Sequence, residues 1–219
     1  MGSEKNFLEA LPKSPRDISK RFNSKSSNVI DIASTFGEQY FDGDRRFGYG
    51  GYYYDGRWRP VARKLIEEYQ LRPGMKILDI GCAKGFLLKD LVLECPGIQI
   101  IGIDISEYAL SVAETEVAQC LVLGSADNLP FPSAAFDLVI SINTIHNLDQ
   151  NAVCKALREI QRVGKGVSYI AVDSYRTLEE KALFEKWVLT AKFHGFPHEW
   201  LTIFKNCGYT GDYEWTILE

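Results

Sequence analysis

Residues 77–86, Ile77-Leu78-Asp79-Ile80-Gly81-Cys82-Ala83-Lys84-Gly85-Phe86, carry more structural information than any other stretch of this sequence. The first four residues, mostly apolar, predict a buried strand, and the small residues after them predict a turn into a helix over about 85–94. This arrangement brings a ligand close to the backbone and points the positive end of the helix at it. A second predicted strand, over about 98–103, is followed by an acid, Asp104. A glycine turn after one strand and an acid after the next are typical of α/β proteins that bind a nucleoside.

Beyond this unit, strands and helices continue to alternate along the chain. Further strands are predicted over about 119–123, 136–142, 167–173 and 209–218, and further helices over about 106–118, 150–162, 177–193 and 197–206. The alternation predicts an α/β fold: a Rossmann-like, doubly wound, mainly parallel sheet with helices on both faces. In such sheets the ligand binds outside the carboxyl ends of the strands.

Length and composition limit the domain organisation and the partners. The chain has 219 residues, 46% of them hydrophobic and 25% charged, which is ordinary for a globular protein with a sizeable core. We expect one domain over 59–219 with an N-terminal extension over 1–58. The net charge of −4 argues against a broad nucleic-acid surface. We therefore expect no nucleic acid as a partner. No apolar run reaches the roughly 18 residues of a membrane helix, so we expect no membrane as a partner either.

The cysteines and the other metal-binding residue types show no ligand spacing. The five cysteines are odd in number and widely spread: Cys82, Cys95, Cys120, Cys154 and Cys207. We therefore expect reduced thiols in a cytoplasmic protein. No cluster of His, Asp or Glu has metal-ligand spacing either, so we expect a reaction without a metal.

The N-terminal extension contains a basic arm and an aromatic segment. The arm carries Lys5, Lys13, Arg16, Lys20, Arg21 and Lys25, and a solvated, flexible arm explains it more simply than a binding role. The segment over 41–58 is dense in glycine, aromatic residues and arginine, with neither helical nor strand periodicity. We expect it to form a lid or an acceptor site in which Tyr52, Tyr54 and Arg57 bind substrate. A flap that only seals the edge of the core is the alternative.

Four pieces of the chain together resemble the class I S-adenosylmethionine-dependent methyltransferases. They are 79–85, 102–106, 124–131 and 136–141, which with their flanks span roughly residues 60 to 175. One glycine motif alone would be weak, whereas four in the right order and spacing are specific. The resemblance implies S-adenosyl-L-methionine as the cofactor and methyl transfer as the reaction.

The resemblance also implies roles for individual residues. The backbone from Gly81 to Gly85 would pack against the methionine part of the cofactor, and Asp104 would accept hydrogen bonds from both ribose hydroxyls. Ile105 would lie on the adenine face. The expected cofactor-binding residues are Asp79, Gly81, Cys82, Ala83, Gly85, Asp104, Ile105, Ser125, Ala126, Asp127 and Asn143.

These residues also have structural interpretations. Gly81 and Gly85 would serve a turn alone, and Asp104 would be only a charge at a helix N-terminus. Asp127 would cap a turn and Asn143 would cap a strand end.

The sequence departs from the family pattern at three places. Ala83 stands at the usual middle glycine of the turn. Lys84 replaces a small residue, and it would either pair with the cofactor carboxylate or point to solvent. Only about ten residues follow Gly208, so one outer strand would be missing or supplied by the N-terminal extension.

A general base is needed only when the acceptor must lose a proton. His146 follows the fourth predicted strand, where a substrate-facing base is expected, and its ordinary pKa lies near neutral pH. We therefore predict His146 as a catalytic and substrate-binding residue. A histidine that caps the following helix is the alternative.

The leading hypothesis is methyl transfer to O or N of a small-molecule acceptor. The alternatives are an enzyme of the same fold that transfers a different group from the cofactor, and a catalytically silent cofactor-binding partner subunit. A nicotinamide dehydrogenase is less consistent with the sequence, because residues 81–86 lack the G-x-G-x-x-G pattern. The sequence does not reveal the oligomeric state, for which a homodimer is one option.

Overall fold

The computed structural model describes residues 2–12 and 16–218. Its centre is one six-stranded sheet in the order β3-β2-β1-β4-β5-β6, in which all named neighbours are parallel. The strands are β1 (Lys76–Ile80), β2 (Gln99–Asp104), β3 (Leu121–Leu123), β4 (Leu138–Ile142), β5 (Ser168–Ser174) and β6 (Asp212–Ile217). The strand order reverses between β1 and β4, so the predicted Rossmann-like, doubly wound sheet is confirmed.

Helices cover both faces of the sheet, as predicted. They are α1 (Ile18–Ser24), α2 (Ser27–Ser34), α3 (Glu38–Phe41), α4 (Arg59–Glu68), α5 (Phe86–Glu94), α6 (Glu107–Ser111), α7 (Gln150–Val163), α8 (Leu178–Trp187) and α9 (Pro197–Cys207). Alternate strand residues point to opposite faces. Thus Leu78 belongs to the cluster that includes residues of α7 and α9, whereas Ile77 belongs to the cluster that includes residues of α4 and α5.

Two helices are shorter than predicted because backbone groups after them bond elsewhere. After α6, the Glu114 amide donates to the Lys84 carbonyl at 3.2 Å. After α8, Val188 is extended, and the Lys192 and Phe193 amides both donate to the His146 carbonyl at 3.0 Å. These bonds fold the following segments onto the site instead of extending the helices.

The N-terminal residues pair with the outer edge of the sheet. The Lys5 amide donates to the Tyr213 carbonyl at 2.8 Å, and the Tyr213 amide donates to the Ser3 carbonyl at 3.1 Å. Phe7 is buried, and its amide donates to the Glu214 carboxylate at 2.6 Å. The sequence left open whether an outer strand is missing or is supplied by the N-terminal extension. In the structure the N-terminal extension supplies the pairing at the outer edge, next to β6.

Two expectations about single residues were wrong. Cys154 and Cys207 form a disulfide with an S–S distance of 2.08 Å, so only Cys82, Cys95 and Cys120 are free thiols. The two bonded cysteines are 53 residues apart in sequence and meet because α7 packs on α9. In the basic arm, Arg21 is buried rather than solvated; Lys13 lies outside the described residues. Across 2–12 and 16–218, no helix has the length and apolar character needed to span a membrane.

Candidate functional site

A cavity of about 260 Å³ opens at the carboxyl ends of β1, β2 and β4. Its lower wall comes from the turn after β1 and from the loops after β2, β3 and β4. Its upper wall comes from residues of 34–58. This is where ligands bind in doubly wound sheets.

Most of the predicted cofactor-binding residues meet at this cavity. Nine of the eleven line it: Asp79, Gly81, Cys82, Ala83, Asp104, Ile105, Ser125, Ala126 and Asn143. Gly85 is outside the lining and starts α5 with φ 78°, where a Cβ atom would lie 2.7 Å from Val117. Asp127 is also outside, and its carboxylate accepts a hydrogen bond from the Ser125 hydroxyl.

The turn after β1 requires glycine at its first position. Gly81 has φ 79°, and a Cβ atom there would lie 1.9 Å from Oγ1 of Thr144. The Gly81 amide donates to the Ile103 carbonyl at 2.7 Å, which ties the turn to β2. Ala83, at the usual middle glycine, adopts φ 48°, so the turn keeps its shape at the cost of backbone strain in an alanine.

Asp104 is held in place by backbone amides. Its Oδ2 accepts from the Ala83 amide at 2.7 Å, and its Oδ1 accepts from the Ser106 amide at 2.8 Å. Each carboxylate oxygen keeps a further lone pair for a ligand. Burial raises the pKa of Asp104, and the two amide bonds oppose that effect.

Asp79 is a second buried carboxyl beside Asp104. Burial, and then the charge of Asp104, raise its pKa to about 7. Among the described residues, no hydrogen-bond donor contacts the Asp79 carboxyl, and no Lys, Arg or His nitrogen lies within 4.0 Å of either carboxylate. Two acidic side chains therefore meet at the cavity without a cationic group of the described residues next to them, and Lys192 is a lining residue farther away.

The loop after β4 contributes two asparagine side chains to the cavity, one already hydrogen-bonded and one with an unpaired oxygen. The Asn143 side chain accepts from Thr216 at 2.7 Å and so is already engaged with β6. Asn147 lines the cavity, and its Oδ1 is buried with no hydrogen-bond partner among the described residues. An unpaired buried acceptor costs free energy unless a donor reaches it.

Aromatic side chains form the upper wall. The Tyr40 and Tyr49 rings pack edge to face at 5.3 Å, and the Tyr49 and Tyr52 ring centroids are 4.5 Å apart. Tyr52 in turn stacks on Phe86 at 4.7 Å, which links the wall to the first residue of α5. Exposed Tyr49 and half-buried Tyr40 give the cavity an amphipathic surface.

Lys84 fastens this wall to the glycine turn. Its Nζ donates to both carboxylate oxygens of Asp42, at 2.8 and 2.6 Å, and to the Tyr52 carbonyl at 2.6 Å. Asp42 also accepts from the Tyr52 amide at 3.0 Å and from the Tyr108 hydroxyl at 2.6 Å. Of the two alternatives for Lys84, the one in which it points to solvent was wrong, because its side chain is buried and its amine is bound to the N-terminal extension. Pairing with the cofactor carboxylate stays a prediction. We call the contacts of Lys84 with Asp42 and Tyr52 the latch.

Of the three predicted substrate-binding residues in the aromatic segment, only Tyr52 lines the cavity. The Tyr54 hydroxyl donates to Asp90 at 2.6 Å, on the side of α5. Arg57 pairs with Asp55 at 2.6 Å near the surface. The structure thus places Tyr54 and Arg57 away from the cavity, and a segment without periodicity gives no information on which side chains point inward.

His146 lies behind the cavity wall. It is 4% exposed and does not line the cavity. Its Nδ1 accepts from the Asp173 amide at 3.0 Å, and its Nε2 lies 3.4 Å from the Asp173 carboxylate. Burial lowers the pKa of His146, against the opposing charge of Asp173. Because the ring lies outside the cavity lining and its Nδ1 already accepts a hydrogen bond, this position does not favour His146 as a base, and its catalytic role stays a prediction.

The sequence prediction missed several residues of the cavity. Tyr49 and Trp58 belong to the aromatic segment over 41–58, and Tyr40 directly precedes it, but none of the three was singled out. Asn147 and Lys192 were not considered. The density of aromatic residues was a usable signal for the first three. For Lys192 there was none, because its position depends on the amide bonds that fold 188–193 toward His146.

The fold and the site define a class of protein. The strand order, the glycine turn after β1 and the carboxylate after β2 are those of the class I S-adenosylmethionine-dependent methyltransferases. A family described as a methyltransferase domain matches residues 71–208, and the chain belongs to that family. S-adenosylmethionine is the cofactor of this class.

Relatives and solved structures agree with this assignment. The chain is 35% identical over 128 residues to demethylmenaquinone methyltransferase of Symbiobacterium thermophilum, covering 54% of this chain and 50% of the relative. It is 29% identical over 211 residues to tRNA (carboxymethyluridine(34)-5-O)-methyltransferase of Arabidopsis thaliana, covering 90% of this chain and 48% of the relative. The chain thus spans about half the length of these two relatives. A SAM-dependent methyltransferase structure from Archaeoglobus fulgidus matches with TM-score 0.55 and 25% identity, covering 69% of this chain and 68% of the other.

Proposed function

We propose that this protein transfers a methyl group from S-adenosylmethionine to an oxygen or nitrogen of a small acceptor bound beneath residues 34–58. The observation that carries the proposal is the pair of buried carboxylates, Asp79 and Asp104, with no cation of the described residues beside them. A cofactor with an ammonium and a sulfonium complements that charge.

The residues that line the cavity match the chemical groups of the cofactor. In the proposal, Asp104 accepts from the ribose hydroxyls, Asp79 faces the amino group, and the backbone at 81–83 packs against the methionine part. Ile105, 61% exposed although it lines the cavity, has free apolar area for a planar base. The unpaired Oδ1 of Asn147 offers an acceptor to the amino or adenine N–H groups.

Residues 34–58 act as a lid in this proposal, and the latch holds the lid closed. The cavity volume of about 260 Å³ lies below the roughly 300–1,000 Å³ typical of pockets for drug-sized ligands. Cofactor and acceptor together need more room than one such ligand, so the lid moves to admit them. A closed lid excludes water and fixes the acceptor in line with the transferred methyl group.

The chain's contribution to the reaction is mainly alignment. When bound, the cofactor supplies an electrophilic methyl group on a sulfonium. Tyr40, Tyr49 and Tyr52 surround the space above the glycine turn and orient the acceptor by packing and hydroxyl hydrogen bonds. Because His146 lies outside the cavity, the proposal assigns no base to it. An acceptor atom that is already deprotonated at neutral pH, such as a carboxylate oxygen, suits this site best.

Methylation of a nucleic acid is a second candidate. The relative that matches 90% of this chain is named as a tRNA methyltransferase, and its match is long enough to extend beyond the family domain into the proposed lid. The overall charge of −4 favours the small acceptor over this alternative.

The test is direct detection of S-adenosylhomocysteine after incubation of the protein with S-adenosylmethionine and one of two fractions of a cell extract. One fraction contains molecules below the size of a short oligonucleotide, and the other contains purified RNA. Product with the small-molecule fraction alone supports the first proposal, and product with RNA alone favours the second. No product with either fraction, together with no binding of the cofactor, overturns both.

A further inference from the structure

Three arginines converge on one tryptophan at the end of α8. The guanidinium carbons of Arg21, Arg45 and Arg16 lie 4.4, 5.2 and 5.8 Å from the centroid of the Trp187 ring. Arg21 comes from α1 and is 6% exposed, whereas Arg16 and Arg45 are exposed at the surface. We call these three side chains and Trp187 the arginine cluster.

The cluster has far more donors than acceptors. The Gly48 carbonyl accepts from Nη2 of Arg21 at 3.0 Å and also from Nη1 of Arg45. Within residues 2–12 and 16–218, no carboxylate lies within 4.0 Å of any of the three guanidiniums. Each guanidinium carries five N–H donors, so exposed Arg16 and Arg45 keep donors that are available to an anion.

Other arginines of this protein are paired differently. Arg63 binds Glu94 at 2.7 Å and Arg162 binds Glu159 at 2.6 Å. Holding the Gly48 carbonyl requires one guanidinium, not three. The crowding also has an electrostatic cost: burial and then Arg45 lower the pKa of Arg21 to about 10, and burial and then Arg16 lower the pKa of Arg45.

The cluster adjoins the cavity. Gly48, which the two arginines hold, precedes Tyr49, and Tyr49 lines the cavity. The Arg45 side chain packs on the same segment, since a Cβ atom on Gly50 would lie 2.8 Å from its Cδ. An acceptor that reaches from the cavity past this segment would bring its far end to the cluster.

We propose that the arginine cluster binds a phosphate group of the acceptor, at a part of the acceptor remote from the methylated atom. Planar guanidiniums match tetrahedral oxyanions with paired hydrogen bonds, and the Trp187 ring attracts all three cations to one place. The role as an acceptor subsite rests on the proposed function, whereas anion binding by the cluster does not. The phosphate belongs either to a small phosphorylated metabolite or to a nucleic-acid backbone.

The test compares Arg45→Gln with Arg46→Gln. Arg45 is exposed, so its replacement leaves buried Arg21 in place. Arg46 is its neighbour, but it lies over Phe47 at 4.7 Å and 4.0 Å from Asp44, outside the cluster. The probes are inorganic phosphate and a short RNA hairpin, titrated calorimetrically at low salt, and S-adenosylhomocysteine is titrated in parallel.

We expect Arg45→Gln to weaken phosphate binding about tenfold, the effect of one charge-assisted hydrogen bond, and Arg46→Gln to change it less than about twofold. If RNA binding weakens equally in Arg45→Gln, the phosphate is that of a nucleic acid; if RNA does not bind, it is that of a metabolite. Equal losses in the two variants, or no phosphate binding by the wild type, would overturn the proposal. Absence of S-adenosylhomocysteine binding would instead count against the proposed function and leave the anion result standing.

Discussion

Replacing Asp79 with asparagine should make the cofactor-free protein more stable at neutral and alkaline pH while removing its affinity for the cofactor. Asp79 is 4% exposed, and burial together with the charge of Asp104 raises its pKa to about 7. Its ionised form is therefore disfavoured in the folded protein. Asparagine keeps the shape and removes the charge.

The size of the effect follows from the pKa. A rise from 3.8 to about 7 corresponds, at 1.36 kcal/mol per unit, to a cost of at most about 4 kcal/mol once Asp79 is fully ionised. A raised pKa contributes stability that is fully present below the unfolded pKa and is lost as pH rises through the folded pKa. Asp79→Asn should be the more stable protein, and its advantage in the free energy of unfolding should grow by roughly 2–3 kcal/mol between pH 5 and pH 8. For a chain of this size that is about 5–10 °C in Tm.

The assay is thermal and denaturant unfolding of both proteins across that pH range, without ligand and with S-adenosylhomocysteine. Asp137→Asn is the control of opposite sign, because the hydrogen bond from Lys165 lowers the pKa of Asp137. Its stabilisation is present above the unfolded pKa, so this variant should be about 0–1 kcal/mol less stable than wild type at both pH values. If the difference in the free energy of unfolding between Asp79→Asn and wild type does not grow with pH, ionised Asp79 does not destabilise the fold. Undiminished ligand binding by Asp79→Asn would mean that Asp79 does not contact the cofactor.

Two further substitutions test the lid and the turn. Lys84→Met should weaken cofactor binding about 10- to 100-fold, the equivalent of roughly 1.5–3 kcal/mol for the charged hydrogen bonds lost from the latch. Lys84→Arg should recover part of this affinity. The control in the same calorimetric titration is Lys89→Met, which loses ion pairs with Glu114 and Glu116 outside the latch. Similar losses in Lys84→Met and Lys89→Met would argue against the latch. Gly81→Ala should unfold at a Tm about 2–12 °C lower than Gly166→Ala. Both positions have positive φ, but only at Gly81 does a Cβ atom clash with a neighbour, and we expect that clash to cost about 1–3 kcal/mol of stability. Equal melting temperatures would show that the Thr144 side chain moves away from the added Cβ atom without loss of stability.

The sequence was sufficient to predict the central sheet and the side of the cavity that the turns after its strands form. The strand, turn and helix over 76–94 depend on local apolar spacing and on glycine, and the acid after β2 follows directly from the strand that precedes it. Parallel strands bring their carboxyl ends to one edge, so residues separated along the chain, such as Asp79 and Asn143, were correctly expected to meet.

The remainder depends on tertiary contacts that local pattern does not encode. The Cys154–Cys207 bond requires knowledge that α7 and α9 are neighbours. The inward direction of Tyr52 and the outward direction of Tyr54 depend on the latch and on Asp90, each contributed by a distant part of the chain. Burial of Lys84 within the motif was unexpected for the same reason, since its partner Asp42 lies 42 residues earlier.

The most direct test of the account is calorimetric titration of the wild type and of Asp104→Asn with S-adenosylhomocysteine, followed by a crystal structure of the wild-type complex. We predict one site per chain, an affinity lower by about tenfold or more in Asp104→Asn, and a ribose within hydrogen-bond distance of the Asp104 carboxylate. Undetectable binding by the wild type, equal affinity in the two proteins, or a ligand bound away from the β1–β2 edge would contradict it.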